Sequence, residues 1–342
     1  MGSQQLGTGL LEQAGQVAAK RVVLAEPRGF CAGVRRAIGI VERALDLHGA
    51  PVYVRKEIVH NHHVVAELAA RGAVFVDSEE EVPEGAVCVF SAHGVSPAVR
   101  SSAADRRLEV IDATCPLVAK VHQQAVRYAR HERTILLVGH ADHEEVEGTR
   151  GEAPERTIVV ETEEDVARLE LADDAPVGYL TQTTLSFDET ARVVDALKRR
   201  FPQLAGPQGD DICYASQNRQ NAVKELARTN DLVLVVGSHN SSNSIRMVEV
   251  ARDHGARAHL VPDPDRLDES WLADVRSVGV SSGASAPEFL VRRLVERLAE
   301  LGYGDVEVAS GAVEDVVFAM PARLADPATG RIPSTPLAEE RH

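Results

Sequence analysis

Three cysteines, Cys31, Cys115 and Cys213, stand 84 and 98 residues apart, each in a Gly-, Pro- or Asp-marked loop where a helix is about to begin. Thiols scattered in this way can converge on one centre that no local CxxC pair could build, and they are read as ligands of one buried cluster. Cys115 precedes Pro116, a residue favoured at the first helical position, so its sulfur is expected at a helix N-terminus whose dipole favours the thiolate that ligation needs. Cys31 lies between Gly29 and Gly33, which let backbone approach a bulky group; Cys213 follows Asp210 and Asp211 and precedes a helical run near Ser216. Cys88, inside the apolar run Val87 to Phe90, reads as a small buried hydrophobe. Three thiolates suit zinc or an iron–sulfur cluster, and spacing alone does not decide. A cluster held by three cysteines leaves one iron without a protein ligand, free to act as a Lewis acid on a substrate oxygen while the cluster supplies electrons.

A second constellation is polar. His60, His93 and His143 lie in or beside glycine-containing loops, and Glu145 follows His143 by two residues. Ser241, Ser242 and Asn243 open a helix carrying Ile245, Val248 and Ala251, and Ser285 precedes Pro287 and Glu288 at another helix start. Helix N-termini present free N–H groups, so several around one cavity bind a phosphate or diphosphate with few Lys or Arg, and protonated histidines add charge. Blander readings compete. Ser285 with Glu288 and Ser186 with Glu189 fit capping boxes, and His62 with His63 fits a helix surface. His140, His143 and Glu145 resemble a zinc ligand set without the HExxH spacing, and Gly279 to Gly283 matches the G-x-S-x-G nucleophile elbow at Ser281. Neither a P-loop lysine motif nor GxGxxG is present, which removes the main support for nucleotide binding.

The elements that must position these residues alternate strand with helix, the pattern of parallel α/β layers. Apolar runs at Val22 to Ala25, Val52 to Val54, Val87 to Phe90, Thr134 to Val138, Val177 to Leu180, Leu232 to Val236 and Val278 to Val280 read as strands. Helical spacing is clear in Val34, Ala37, Ile38, Val41, Ala44 and Leu45, and in Leu117, Val118, Val121, Ala125 and Ala129. Nearly every strand is followed by a polar, glycine-containing loop, where ligands bind in open α/β sheets. The domain-sized cysteine spacings suggest three similar α/β lobes with mostly parallel sheets, one thiol from each. The boundaries expected are an extension over 1–20, lobes over 21–115, 116–209 and 210–300, and a C-terminal strand and flexible tail over 301–342, Pro-, Ala- and charge-rich from Pro321. With 342 residues, 44% of them hydrophobic, the chain can bury a large core. A net charge of −15 argues against nucleic acid and anionic membrane as general partners. Four cysteines in this length are no disulfide framework, no stretch reaches membrane-spanning length, and the N-terminal segment lacks a basic n-region, so a cytoplasmic location is expected.

The strings PRGFCAGV, EIVHN, SAHGVSP, DATCPLV, KVH, EVEGT, TQTTLS, DDICYA, NRQ, NSSNS and GASAP, in this order from Val22 to Pro321, closely resemble the 4-hydroxy-3-methylbut-2-enyl diphosphate reductase family of the non-mevalonate isoprenoid pathway. The resemblance implies an oxidoreductase with three α/β lobes around one 4Fe-4S cluster held by Cys31, Cys115 and Cys213. It implies reductive dehydroxylation of (E)-4-hydroxy-3-methylbut-2-enyl diphosphate to isopentenyl and dimethylallyl diphosphates, with the substrate oxygen on the open iron. His60, His93 and His143 are then expected at the diphosphate with Ser241, Ser242, Asn243 and Ser285, while Glu145 delivers a proton, Thr183 orients it and His143 assists. Family members commonly carry glycine and proline where this chain has Asp142 and Glu144, and lysine where it has His239, so negative charge is added beside the acid. With no flavin or nicotinamide motif, electrons are expected from a ferredoxin or flavodoxin, for which Lys198, Arg199 and Arg200 are a candidate dock. A zinc hydrolase and a non-catalytic iron–sulfur sensor are the readings from other classes.

Overall fold

The computed structural model describes residues 19–325. The strand β1 (Arg21–Leu24) is followed by α1 (Ala32–His48), β2 (Val52–Arg55), α2 (His62–Ala70), β3 (Ala73–Val76), β4 (Val87–Phe90), α3 (Pro97–Asp105) and β5 (Glu109–Asp112). Next come α4 (Pro116–Arg130), β6 (Thr134–Val138), α5 (Glu144–Gly151), β7 (Thr157–Val160), α6 (Glu163–Arg168), β8 (Val177–Thr181) and α7 (Phe187–Arg200). Then follow α8 (Tyr214–Thr229), β9 (Leu232–Val236), α9 (Ser242–Asp253), β10 (Arg257–Val261), β11 (Ser277–Ser282), α10 (Glu288–Glu300) and β12 (Asp305–Val308). The strands form three sheets ordered β3-β2-β4-β5, β7-β6-β8 and β10-β9-β11-β1-β12. Every strand pairing between them is parallel. The α/β class and the three lobes expected from the sequence are therefore present.

Two expectations about lobe membership are corrected. β1, assigned to the first lobe, pairs instead with β11 and β12, because Val22 and Val23 are buried on opposite faces of the third sheet. The C-terminal segment also does more than trail away. β12 is a sheet edge, and farther on Met320 and Leu324 pack into the core of the first lobe, Leu324 with no exposure at all. The remainder of the proposed tail, and the N-terminal extension up to residue 18, lie outside the described residues.

The helix faces show why the chain crosses between lobes where it does. Val34, Ala37, Ile38, Val41, Ala44 and Leu45 of α1 recur at helical spacing and bury against Val52, Val54 and Ile111 of the first sheet. On α4, Val121, Ala125 and Tyr128 bury against Ile135, Leu137 and Leu180 of the second sheet. Val223, Leu226 and Ala227 of α8 do the same against Val233 and Val235 of the third. Each of these helices begins directly after a strand or loop of the preceding lobe, and the residue at each start is a cysteine: Cys31, Cys115 and Cys213 are the three N-caps. The thiols thus mark the junctions from third lobe to first, first to second and second to third, rather than belonging one to each lobe.

Candidate active site

At the centre, the three junctions meet. A methyl group built on Gly33 would sit 2.8 Å from Cys115 Sγ and 3.8 Å from Cys31 Sγ, so the first turn of α1 needs glycine to let these sulfurs approach. Gly29, at φ +67°, turns the chain into that helix, and its N–H donates to Ser282 Oγ at 2.8 Å, while the Cys31 N–H donates to the Ala284 carbonyl at 3.3 Å. Burial, together with the charge Cys31 would carry, pushes the Cys115 thiol up to about 12 and the Cys213 thiol up to about 11. Backbone N–H groups at the starts of α4 and α8 oppose this and lose, so the helix dipole expected to ionise Cys115 is outweighed by burial. A positive metal centre is what such thiols need in order to ionise, and three converging soft donors fit one. Cys88 is fully buried on β4, packed with Phe90, Val95 and Val99 away from this centre.

One cavity is lined by Cys31, Cys115 and Cys213 and by all the other site residues named from the sequence: His60, His93, His143, Glu145, Thr183, Ser241, Ser242, Asn243 and Ser285. His143 caps α5, and its Nδ1 accepts from the Glu145 N–H at 3.1 Å, which fixes the neutral ring with its proton on Nε2. Glu145 is 2% exposed; its Oε1 accepts from the Thr183 N–H at 2.6 Å and its Oε2 from the Thr183 hydroxyl at 2.9 Å. Burial lifts the Glu145 carboxyl to about 7 against the lowering effect of those two bonds. His60 and His93 stack with ring centres 4.0 Å apart, and His143 meets both edge-on at 5.6 and 5.9 Å. Burial lowers His93 and takes His143 to about 3, so both rings are neutral near pH 7 rather than charged as expected.

The remaining polar groups surround these rings. Ser241 caps α9 by accepting from the Ser244 N–H, and Ser242 Oγ accepts from Thr184 Oγ1 at 3.1 Å and from Gln182 Nε2 at 3.3 Å. Asn243 is 5% exposed, and its Oδ1 is buried without a hydrogen-bond partner. Such an orphan, on a residue that lines the cavity, is what a missing polar ligand leaves behind.

A family model described as LytB protein matches residues 22–299. The chain belongs to the LytB family. It is 60% identical over 307 residues to the 4-hydroxy-3-methylbut-2-enyl diphosphate reductase of Nocardia farcinica, spanning 90% of this chain and 91% of that one. Identity to the 4-hydroxy-3-methylbut-2-enyl diphosphate reductase 2 of Mycobacterium tuberculosis is 59% over 309 residues, spanning 90% and 92%. Among solved structures, the E-1-hydroxy-2-methyl-but-2-enyl-4-diphosphate reductase from Plasmodium falciparum superposes with a TM-score of 0.87 at 39% identity, covering 90% of this chain and 97% of that one. A second solved reductase, titled as the terminal enzyme of the non-mevalonate pathway, gives 0.59 at 31% identity over 82% and 99%.

Within this LytB chain several local readings change. Ser285 is no helix cap: Pro287 caps α10, and the Ser285 hydroxyl donates to the His60 carbonyl at 2.9 Å, tying the third lobe to the histidine loop. Ser186 does cap α7. Ser281 lies inside β11 with no exposure, so no nucleophile elbow exists there. His140, His143 and Glu145 form no ligand set, since His143 Nδ1 and both Glu145 oxygens are already bonded. Of the proposed basic dock, Arg200 is spent on the carbonyls of Val166, Ala167, Leu169 and Leu171, while Arg199 pairs with Glu163 and Lys198 with Asp195. The roles of four residues were not legible in the sequence. Gln182 and Thr184 flank Thr183 and hold Ser242; Glu57 and Glu144 contact His60 and His93. The i,i+3 spacing of Glu57 and His60 was the one available signal.

Proposed function

We propose that this chain carries out the two-electron reductive dehydroxylation of (E)-4-hydroxy-3-methylbut-2-enyl diphosphate to isopentenyl and dimethylallyl diphosphates, closing the non-mevalonate isoprenoid pathway. What carries this reading is the single cavity with three thiols, a carboxyl lifted to about 7, and a group of imidazole, hydroxyl and amide side chains. Cys31, Cys115 and Cys213 hold a 4Fe-4S cluster, and the distant burial of Cys88 supports three cysteine ligands rather than four. When bound, the cluster supplies electrons and a Lewis-acidic iron; a ferredoxin or flavodoxin supplies it in turn.

The chain's own residues do the rest. His60, His93, His143, Ser241, Ser242, Asn243 and Ser285 hold the diphosphate together with the α9 N-terminus, which folds the small substrate into the cavity and excludes water. Glu145 holds the proton that leaves with the hydroxyl as water. Because the Thr183 N–H can only donate, Oε1 remains an acceptor; the Thr183 hydroxyl can reverse its role, so Oε2 is the oxygen that carries the proton. The Thr183 hydroxyl then passes its own proton onward into the cavity. A carboxyl near 7 both gives up and regains a proton readily at neutral pH.

The test is anaerobic purification followed by iron, acid-labile sulfide and turnover measurements with a reduced mediator. Glu145→Gln is expected to keep iron and sulfide and to lose most turnover, and Cys115→Ser to lose both. Full turnover in the Gln variant, or undiminished iron in the Ser variant, would overturn the assignments.

A further inference from the structure

His60 and His93 are not bare donors awaiting an anion. His93 Nδ1 lies 3.0 Å from Glu144 Oε2, and His60 Nδ1 lies 3.4 Å from Glu57 Oε2, which also accepts from Asn240 Nδ2 at 2.8 Å. Each stacked ring therefore has a carboxylate on Nδ1, which leaves Nε2 for a ligand. Both carboxylates are held below their usual range, Glu57 chiefly by its bond to His60, and Glu144 because its contacts with His93, His60 and His143 outweigh burial. Substrate-free, the cavity mouth thus carries two anionic carboxylates against the stacked rings, of which His93 is lowered by burial. Its outer rim adds Asp77, Glu81 and Asp142 against Lys56 and Arg246.

A fully charged diphosphate entering this mouth meets net repulsion unless positive charge arrives with it. A shared metal ion is a poor source, because the near-parallel rings, 4.0 Å apart and 16° from coplanar, cannot both aim in-plane lone pairs at one ion. Protons are the better source. We propose, resting on the diphosphate substrate assigned above, that the diphosphate binds together with a proton: His93 becomes imidazolium as the anion arrives, with Glu144 and Glu57 as the counter-ions that permit it. His93 then donates Nδ1–H to Glu144 and Nε2–H to the diphosphate, a carboxylate–imidazolium–phosphate sandwich. The titratable groups facing His93 are Glu144, Glu57, His60 and His143, with the Ser91 hydroxyl 3.4 Å from its Nδ1, and Glu145 in turn faces His60; His143 stays neutral, because its Nδ1 accepts from the Glu145 N–H. Glu144 is thereby a positioning residue that sets the charge of His93.

The experiment is isothermal titration calorimetry of the anaerobic holoenzyme at about pH 8, where a diphosphate monoester is ionised and free imidazole is neutral. The ligands are the allylic diphosphate and methyl diphosphate, each in buffers of different ionisation enthalpy, so that proton uptake is read from the buffer dependence. Wild type is expected to take up about one proton per diphosphate, with Kd rising about tenfold per pH unit. Glu144→Gln keeps an acceptor for His93 without the charge, and Glu57→Gln removes the second carboxylate acting on that ring; each is expected to reduce uptake and flatten the pH slope. Binding of either ligand without buffer dependence, or unchanged uptake in both variants, overturns the proposal. Uptake with methyl diphosphate but no binding of the allylic substrate would sustain it while sinking the substrate assignment.

Discussion

Replacing Thr183 with valine isolates the contribution of one hydrogen bond to the acid. Glu145 is 2% exposed, and its carboxylate is stabilised by two donors from one residue, the Thr183 N–H at 2.6 Å and the Thr183 hydroxyl at 2.9 Å. Valine keeps the N–H and the branched shape but deletes the hydroxyl. A hydrogen bond to a charged group contributes about 1.5–3 kcal/mol, and 1.36 kcal/mol is one pKa unit, so the loss is worth about one to two units. The sign follows from which form is stabilised. Both bonds favour the ionised carboxylate and oppose burial, so deleting one moves the carboxyl further up from about 7. The measurement is the pH profile of single-turnover reduction by anaerobic holoenzyme, paired with infrared titration of the protonated carboxyl. The limb attributed to Glu145 is expected to move to higher pH by about one unit or more, while the rate at its plateau falls because the relay hydroxyl is gone. Thr183→Ser, which restores the hydroxyl, is expected to restore both. A Val variant whose carboxyl titrates where the wild type does, or lower, would refute the account of how this acid is tuned.

Two further changes probe the scaffold. Gly33→Ala would place a methyl 2.8 Å from Cys115 Sγ, so iron and sulfide per chain are expected to drop while far-ultraviolet circular dichroism stays unchanged; a full complement of iron would show that the junction has slack. Glu314→Gln removes the charge facing Arg219, whose guanidinium has no exposure and also donates to the Gly29 carbonyl at 2.7 Å and the Ala215 carbonyl at 2.9 Å. Leaving that cation unpaired is expected to cost about 3–5 kcal/mol in denaturant unfolding, and an unchanged midpoint would count against a structural role for the C-terminal segment.

The residues most readable in advance were those whose type already limits their chemistry. The central strands β4, β6, β9 and β11 were legible because buried parallel strands are near-continuous apolar runs. The strands that escaped, β3, β5, β7 and β10, all lie at sheet edges. There one side is solvated, and sequences such as Glu109–Asp112 and Arg257–Val261 mix charge into four or five residues. Ser285 was ambiguous for a different reason. Its capping-box spacing is a local signal, whereas its partner, the His60 carbonyl, is 225 residues away in another lobe. Glu57 and Glu144 were missed as partners for the same reason in the case of Glu144, which lies 51 residues from His93.

The cysteine spacing was informative, but its meaning lies in the connectivity. If each thiol belonged wholly to one lobe, bringing three together would require three separate surfaces to be complementary. Instead, each caps the helix that carries the chain out of one sheet and onto the next, so the distance between successive thiols is the length of chain needed to traverse one lobe. Closure of the ring depends on β1. Paired between β11 and β12, it places the Gly29 and Cys31 N–H groups against Ser282 Oγ and the Ala284 carbonyl, beside the loop that carries Ser285. The strand nearest the N-terminus thereby returns the first thiol to the lobe completed last. A centre built on such junctions is sensitive to inter-lobe geometry as well as to the sulfurs, because any displacement of one lobe against another moves a helix start and the thiol on it.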